Sequence, residues 1–183
     1  PSVEDWDGEI VEQKLIHETI FPGDRILEFG ANIGRSSIVA AECTGPNGYV
    51  RSFESNKIDR EKAKNNAKPL TNIEFMPAVS DVPLFQNAWN TSTFKHNDSW
   101  EEVDVVTTTI LNGHWDVIIV DCEGCFYEFY NEFPDFVNNL DKIILECDYG
   151  DDIDYKTIID KLINNNFYIK ENIKDFNNVF IKK

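Results

Sequence analysis

The stretch that most constrains this chain is Arg25–Ser37, RILEFGANIGRSS. It opens on a short apolar run, Ile26-Leu27, followed by an acid, Glu28. Two glycines come next, Gly30 and Gly34, and then a second apolar run, Ile38 to Ala41. The pattern predicts a strand, a tight glycine turn and a helix. In a parallel α/β sheet such a turn lies at the carboxyl end of the first strand, where ligands bind. Glycines bring backbone close to a ligand because they carry no Cβ. The first N–H groups of the new helix then point at whatever sits there. Taken alone, the turn is equally consistent with a purely structural strand-to-helix connection.

Its spacing separates two classes of cofactor. A dinucleotide fingerprint needs G-x-G-x-x-G. Here the glycines are Gly30 and Gly34, with Asn32 between them, and Glu28 stands two residues before the first. A carboxylate there repels a pyrophosphate and suits an ammonium group. S-adenosylmethionine (SAM) carries both an amine and a sulfonium, so the acid fits it.

The second strand, Tyr49–Phe53, ends on Glu54, 20 residues after Gly34. That is about the offset at which an acid meets ribose hydroxyls in a nucleotide-binding βαβ unit; a surface glutamate at a strand end is the plain alternative. A lysine-rich helix over 57–67 leads to a third strand, Asn72–Met76, whose end flanks an adenine by position. Residues 84–100 interleave Phe85, Trp89, Phe94 and Trp100 with Asn, Thr, Ser and His96, which predicts a hairpin or flap. Its aromatics either stack on a sugar face or form a small satellite core. Val103–Ile110 is β-rich, and Asp116–Val120 is an uninterrupted apolar run typical of a central parallel strand. It ends in Asp121-Cys-Glu-Gly124. Phe126, Phe129, Tyr130 and Phe133 then follow at helical spacing, closed by Pro134. A fifth strand, Ile143–Cys147, runs into Asp148, and a helix over Tyr155–Asn164 follows. Phe167–Ile169 and Val179–Ile181 are placed to pair as an antiparallel hairpin, and a helix over Glu9–Thr19 precedes the first strand. Alternating strands and helices imply one doubly wound, Rossmann-like α/β domain.

With 183 residues and 42% apolar content, a single domain has room for a real core. Thirty-three acids against 17 bases give a formal charge of −16, which argues against nucleic acid or an anionic membrane as partner. No apolar run approaches the roughly 20 residues of a membrane span. The chain starts at Pro1, and we expect a domain excised from a longer chain. Cys122 and Cys125 have metal or redox spacing, but no second pair or nearby histidine completes a zinc site. Glu123 between them raises thiol pKa values. We therefore expect Cys43, Cys122, Cys125 and Cys147 to be reduced, mostly buried thiols in a reducing, cytoplasmic compartment. The matches to the glycosylation pattern at Asn90 and Asn97 are then chance.

These residues resemble a known family. Glu28-Phe-Gly-Ala-Asn-Ile-Gly34 resembles the first motif of class I SAM-dependent methyltransferases, and is most similar to the FkbM pattern, acid-x-Gly-Ala-Asn-x-Gly. Phe53-Glu54 resembles its second-strand acid and Asp121-Cys-Glu-Gly124 its Asp-x-Glu-Gly motif. The resemblance covers about residues 20–150 and departs from the family twice. Glu28 stands where the family usually has Asp, and Phe126 where it often has a second glutamate. The resemblance implies a seven-stranded, mostly parallel sheet with a reversed last strand, and methylation of oxygen atoms on sugars and small metabolites. A further likeness is to methyltransferase domains fused to glycosyltransferases in large DNA viruses.

The expected cofactor contacts are Glu28, Gly30, Asn32, Gly34 and Ser36 around the turn, Glu54 and Ser55 after strand two, Val79 beyond strand three, and Asp121. The expected catalytic residues are Asp121, Glu146 and Asp148, at the carboxyl ends of two adjacent strands. One of them acts as general base, or together they hold Mg²⁺ or Mn²⁺ and lower the pKa of an acceptor hydroxyl. Simple helix capping is the alternative for each. Two rivals share the fold class: a nicotinamide oxidoreductase, and a non-catalytic SAM- or nucleotide-binding module.

Overall fold

The computed structural model describes residues 5–88, 90–147, 153–173 and 177–183. Helix α1 (Asp5–Thr19) leads into β1 (Arg25–Phe29), α2 (Arg35–Thr44), β2 (Tyr49–Phe53), α3 (Lys57–Asn66) and β3 (Ile73–Met76). An insertion follows, made of β4 (Ala78–Val79), β5 (Leu84–Asn87), β6 (Asn90–Ser92), β7 (Glu101–Val103) and β8 (Val105–Val106). A 3₁₀ turn at Thr108–Leu111 returns the chain to the sheet. There it forms β9 (Val117–Val120), α4 (Cys125–Glu132), α5 (Pro134–Asn138), β10 (Lys142–Glu146), α6 (Tyr155–Asn164), β11 (Phe167–Ile173) and β12 (Asn177–Lys182). Pro134 both closes α4 and opens α5, because its missing N–H is harmless in the first turn of a helix.

The main sheet has seven strands in the order β11-β12-β10-β9-β1-β2-β3. Strands β10, β9, β1, β2 and β3 are parallel, while β12 runs antiparallel to both β10 and β11. The reversed C-terminal hairpin therefore forms as the sequence predicts. The expected flap is a separate three-stranded antiparallel sheet, β6-β5-β7, and β4 pairs with β8 beside it.

Side chains alternate across the sheet with a period of two. Ile26, Val117, Ile119 and Ile144 face α1 and α2, where Leu15, Ile16, Ile20, Ala40 and Ala41 cover them. Leu27, Phe29, Ile118, Val120, Ile143 and Leu145 face α4 and α6, packing on Phe126, Phe129, Ile158 and Leu162. Each buried Leu, Ile or Phe contributes ~1.5–3 kcal/mol relative to exposure. Strand β9 is buried along its whole length, which is why its sequence is unbroken Val-Ile-Ile-Val. Among the described residues, no helix is long and apolar enough to cross a membrane.

Candidate functional site at the β1–β9 switch point

From β1 the chain builds the sheet outward through β2 and β3, then crosses back to place β9 on the other side of β1. The topological switch therefore lies between β1 and β9, and in an open α/β sheet the ligand crevice forms at that point. Two turns meet there. Asp121 donates its backbone N–H to the Phe29 carbonyl at 2.9 Å. The Asp121 carbonyl then fills the space over Gly30, where a Cβ would lie 1.5 Å from it. Gly30 has φ +92°, so both sterics and backbone conformation require glycine. Gly34 caps α2 in the left-handed region at φ +87°, with Ala63 and Phe75 close behind it.

The two strand-end acids do different jobs. Glu28 shares the face of β1 that bears Ile26, so it points beneath the start of α2 rather than outward. It is buried, and its carboxylate accepts hydrogen bonds from Ser36 Oγ at 2.6 Å and from Ser37 Oγ. Burial raises the Glu28 carboxyl above its ordinary range, and the Ser36 and Ser37 hydroxyls oppose the shift. Glu54, by contrast, lies half-buried at the end of β2. Its Oε2 accepts from the Asn32 backbone N–H and its Oε1 from that of Asn56, both at 2.7 Å. Desolvation raises the Glu54 carboxyl as well, against those two amide bonds. The buried Arg60 holds this corner from behind: its guanidinium donates to the Glu54 carbonyl at 2.6 Å and to Asp104 Oδ2 at 3.2 Å.

A cavity of about 730 Å³ opens over these turns. Of the residues expected at a cofactor, Gly30, Asn32, Glu54, Ser55, Val79 and Asp121 line it. Glu28, Gly34 and Ser36 do not; they form the buried support behind the first turn. Glu28 supports the first turn from beneath α2, where strand alternation directs it. The flap forms one wall through Leu84, Gln86 and Thr91–Phe94, and the Phe94 ring is 73% exposed. Trp100 instead lies tilted against His96, with ring centroids 4.7 Å apart. Trp89 lies outside the described residues.

Of the three expected catalytic acids, Asp121 is half-buried and lines the cavity. Glu146 ends β10 opposite Asn177 and is not part of the lining. Asp148 lies outside the described residues. Among those residues, no three His, Cys, Asp or Glu side chains converge on a metal position. The expected Mg²⁺ or Mn²⁺ set includes Asp148 and so falls partly outside the described residues. Four further acids stand on the cavity wall that were not among the expected site residues: Asp81, Glu123, Glu128 and Glu132. Residues 128 and 132 lie one helical turn apart on α4, so their common face was readable once 121–124 was taken as a site.

The thiol expectation needs correction. Cys122 and Cys125 form a disulfide, while Cys43 and the buried Cys147 remain thiols. The tight turn between them sets their Cα atoms 5.5 Å apart, well within bonding range.

Known structures share this architecture. The precorrin-6Y C5,15-methyltransferase of Geobacter metallireducens GS-15 superposes with a TM-score of 0.61 at 12% identity, over 93% of this chain and 88% of its own. The fold is that of the SAM-dependent methyltransferases. Fibrillarin of Aeropyrum pernix, solved with natively bound S-adenosyl-L-methionine, matches with a TM-score of 0.57 at 14% identity, over 94% and 73%. A SAM-dependent methyltransferase of Aquifex aeolicus matches at 0.55 and 11% identity, over 92% and 87%. No protein-family model matches the sequence.

Proposed function

We propose that this chain is a SAM-dependent O-methyltransferase acting on a hydroxyl of a sugar or glycan. The observation that carries the proposal is the charge of the cavity. Its lining holds Glu54, Asp81, Asp121, Glu123, Glu128 and Glu132 and, among the described residues, no Lys, Arg or His. Such a lining attracts a sulfonium and repels a pyrophosphate, which favours SAM over a nicotinamide dinucleotide. It also favours an uncharged acceptor over nucleic acid. The likeness of three motifs to the FkbM family supports a glycan acceptor, as does the likeness to viral methyltransferase domains fused to glycosyltransferases.

In this reading Glu54 accepts hydrogen bonds from the ribose, Gly30 and Asn32 receive the amino-acid end, and Val79 flanks the adenine. SAM, when bound, supplies an electrophilic methyl carbon. The chain must hold the acceptor oxygen in line with it and remove the hydroxyl proton as the C–O bond forms. Asp121 is placed to take that proton. Phe94 and Thr91–Thr93 supply an exposed ring and hydroxyls on the acceptor side, a combination suited to a sugar face.

Calorimetry with SAM and NAD, followed by transfer of labelled methyl from SAM to a panel of sugars, tests this. SAM should bind and NAD should not. Asp121→Asn should lower kcat about 10²–10⁴-fold, and Phe94→Ala should raise KM for the acceptor alone. NAD binding without SAM binding would overturn the reading.

A further inference from the structure

The methyl transfer proposed above assigns no step to the Cys122–Cys125 pair, yet both residues line the cavity. They span a tight turn closed by the Cys125 N–H donating to the Cys122 carbonyl at 3.2 Å. Its two middle residues, Glu123 at φ +54° and Gly124 at φ +85°, are both left-handed. Glycine adopts that conformation freely, but glutamate does so only under constraint. The disulfide supplies the constraint. The turn is wedged on both sides: the carbonyl of the preceding residue, Asp121, presses on Gly30, and a Cβ on Gly124 would meet Ile153 Cδ1 at 2.1 Å. A change in this turn is therefore transmitted to the wall that the cofactor reading assigns to SAM.

We infer that Cys122–Cys125 is a reversible thiol–disulfide modification site that sets cofactor affinity; the inference rests on the SAM reading of the cavity. An external dithiol reaches the pair through the cavity. Its thiolate attacks one sulfur and the protein S–S bond breaks. The departing cysteine thiolate takes a proton, and the second thiol of the reductant resolves the mixed disulfide. Two protein thiols and one oxidised reductant result. Oxidised glutathione reverses the step and leaves as two thiols. Once the tether opens, Glu123 relaxes out of the left-handed region, the Asp121 carbonyl loses its fixed seat over Gly30, and SAM binds less tightly.

SAM affinity is measured by calorimetry on the chain as isolated, after dithiothreitol, and after reoxidation with oxidised glutathione. Alkylation and mass spectrometry assign the state of each cysteine, and circular dichroism reports folding. Reduction should weaken SAM binding about five-fold or more, the low end of ordinary coupling between two sites, and reoxidation should restore it. Cys43→Ser should keep the response. The double variant Cys122→Ser/Cys125→Ser should show the weak affinity in both conditions, and Glu123→Gly should shrink the difference. Equal SAM affinity in both states overturns this inference and leaves the methyltransferase reading standing. SAM binding in neither state overturns both. Unfolding on reduction makes the pair a structural staple and overturns the switch.

Discussion

The two turns that meet at the switch point each place a left-handed non-glycine residue ahead of a left-handed glycine and are held by different chemistry. After β1, Asn32 at φ +48° precedes Gly34 at φ +87°; after β9, Glu123 at φ +54° precedes Gly124 at φ +85°. Each glycine is the N-cap of the following helix, and neither helix has a side-chain cap. The first turn is fastened by hydrogen bonds: Gly30 and Ala31 donate to the Phe53 carbonyl at 3.0 and 3.1 Å, and Asn32 donates to Glu54. The second is fastened by a covalent bond between its own ends. Asparagine tolerates the left-handed region, since its short side chain bonds locally, whereas glutamate has no such relief.

The comparison can be broken at four points. The largest effect belongs to Gly30→Ala, which drives a methyl into the Asp121 carbonyl and separates the turns; stability should fall by about 4 kcal/mol or more in urea unfolding. A folded variant within ~1 kcal/mol of the parent would mean that the turns are not wedged together. Next, Glu54→Ala removes the acceptor of the Asn32 amide in the first turn and of the Asn56 amide at the start of α3. SAM affinity should drop by roughly 1–3 kcal/mol in calorimetry, with the Cys122–Cys125 bond undisturbed by mass analysis. Third, glycine at each left-handed position compares the strain directly. Glu123→Gly should be about 0.5–1 kcal/mol more favourable to stability than Asn32→Gly, and equal values would erase the distinction between the turns.

The smallest effect is a pH slope. Burial raises the Glu28 carboxyl above its ordinary value of 4.5. The folded chain therefore holds this proton to higher pH than the unfolded chain does. Stability declines as pH rises from about 4.5 through the raised folded value. Glu28→Gln has no proton to lose there. The Tm difference, variant minus parent, should climb across that window and level off above it; a flat difference would show that Glu28 titrates as an exposed acid does.

Much of this was readable from the chain. The unbroken Val117–Val120 run marked the central strand, and the antiparallel hairpin was visible in two short apolar runs around a polar turn. The glycine spacing located the first turn because only glycine satisfies φ +92° under a neighbouring carbonyl. What stayed hidden depends on direction and distance. Glu28 was legible as an acid near the turn, but its burial follows from which face of β1 it occupies. The disulfide was hidden because composition and a presumed compartment say nothing about two Cα atoms brought together by a left-handed turn. Glu128 and Glu132 were hidden behind the more conspicuous Phe126, Phe129 and Phe133 on the same helix.

The seam between β1 and β9 also bears on how the molecule is assembled. Arg25 donates its backbone N–H to Asp116 across 91 positions of sequence. Strands β1, β2 and β3 are close in the chain and can pair early, but β9 must wait for the whole intervening insertion to be closed as a loop. Long-range pairing of this kind is slow, since the entropy of closure is lost before the contacts form. The cavity straddles that seam, so neither half of the chain contains it. Ligand binding therefore reports on that junction, and a truncation at the insertion removes one wall of the cavity.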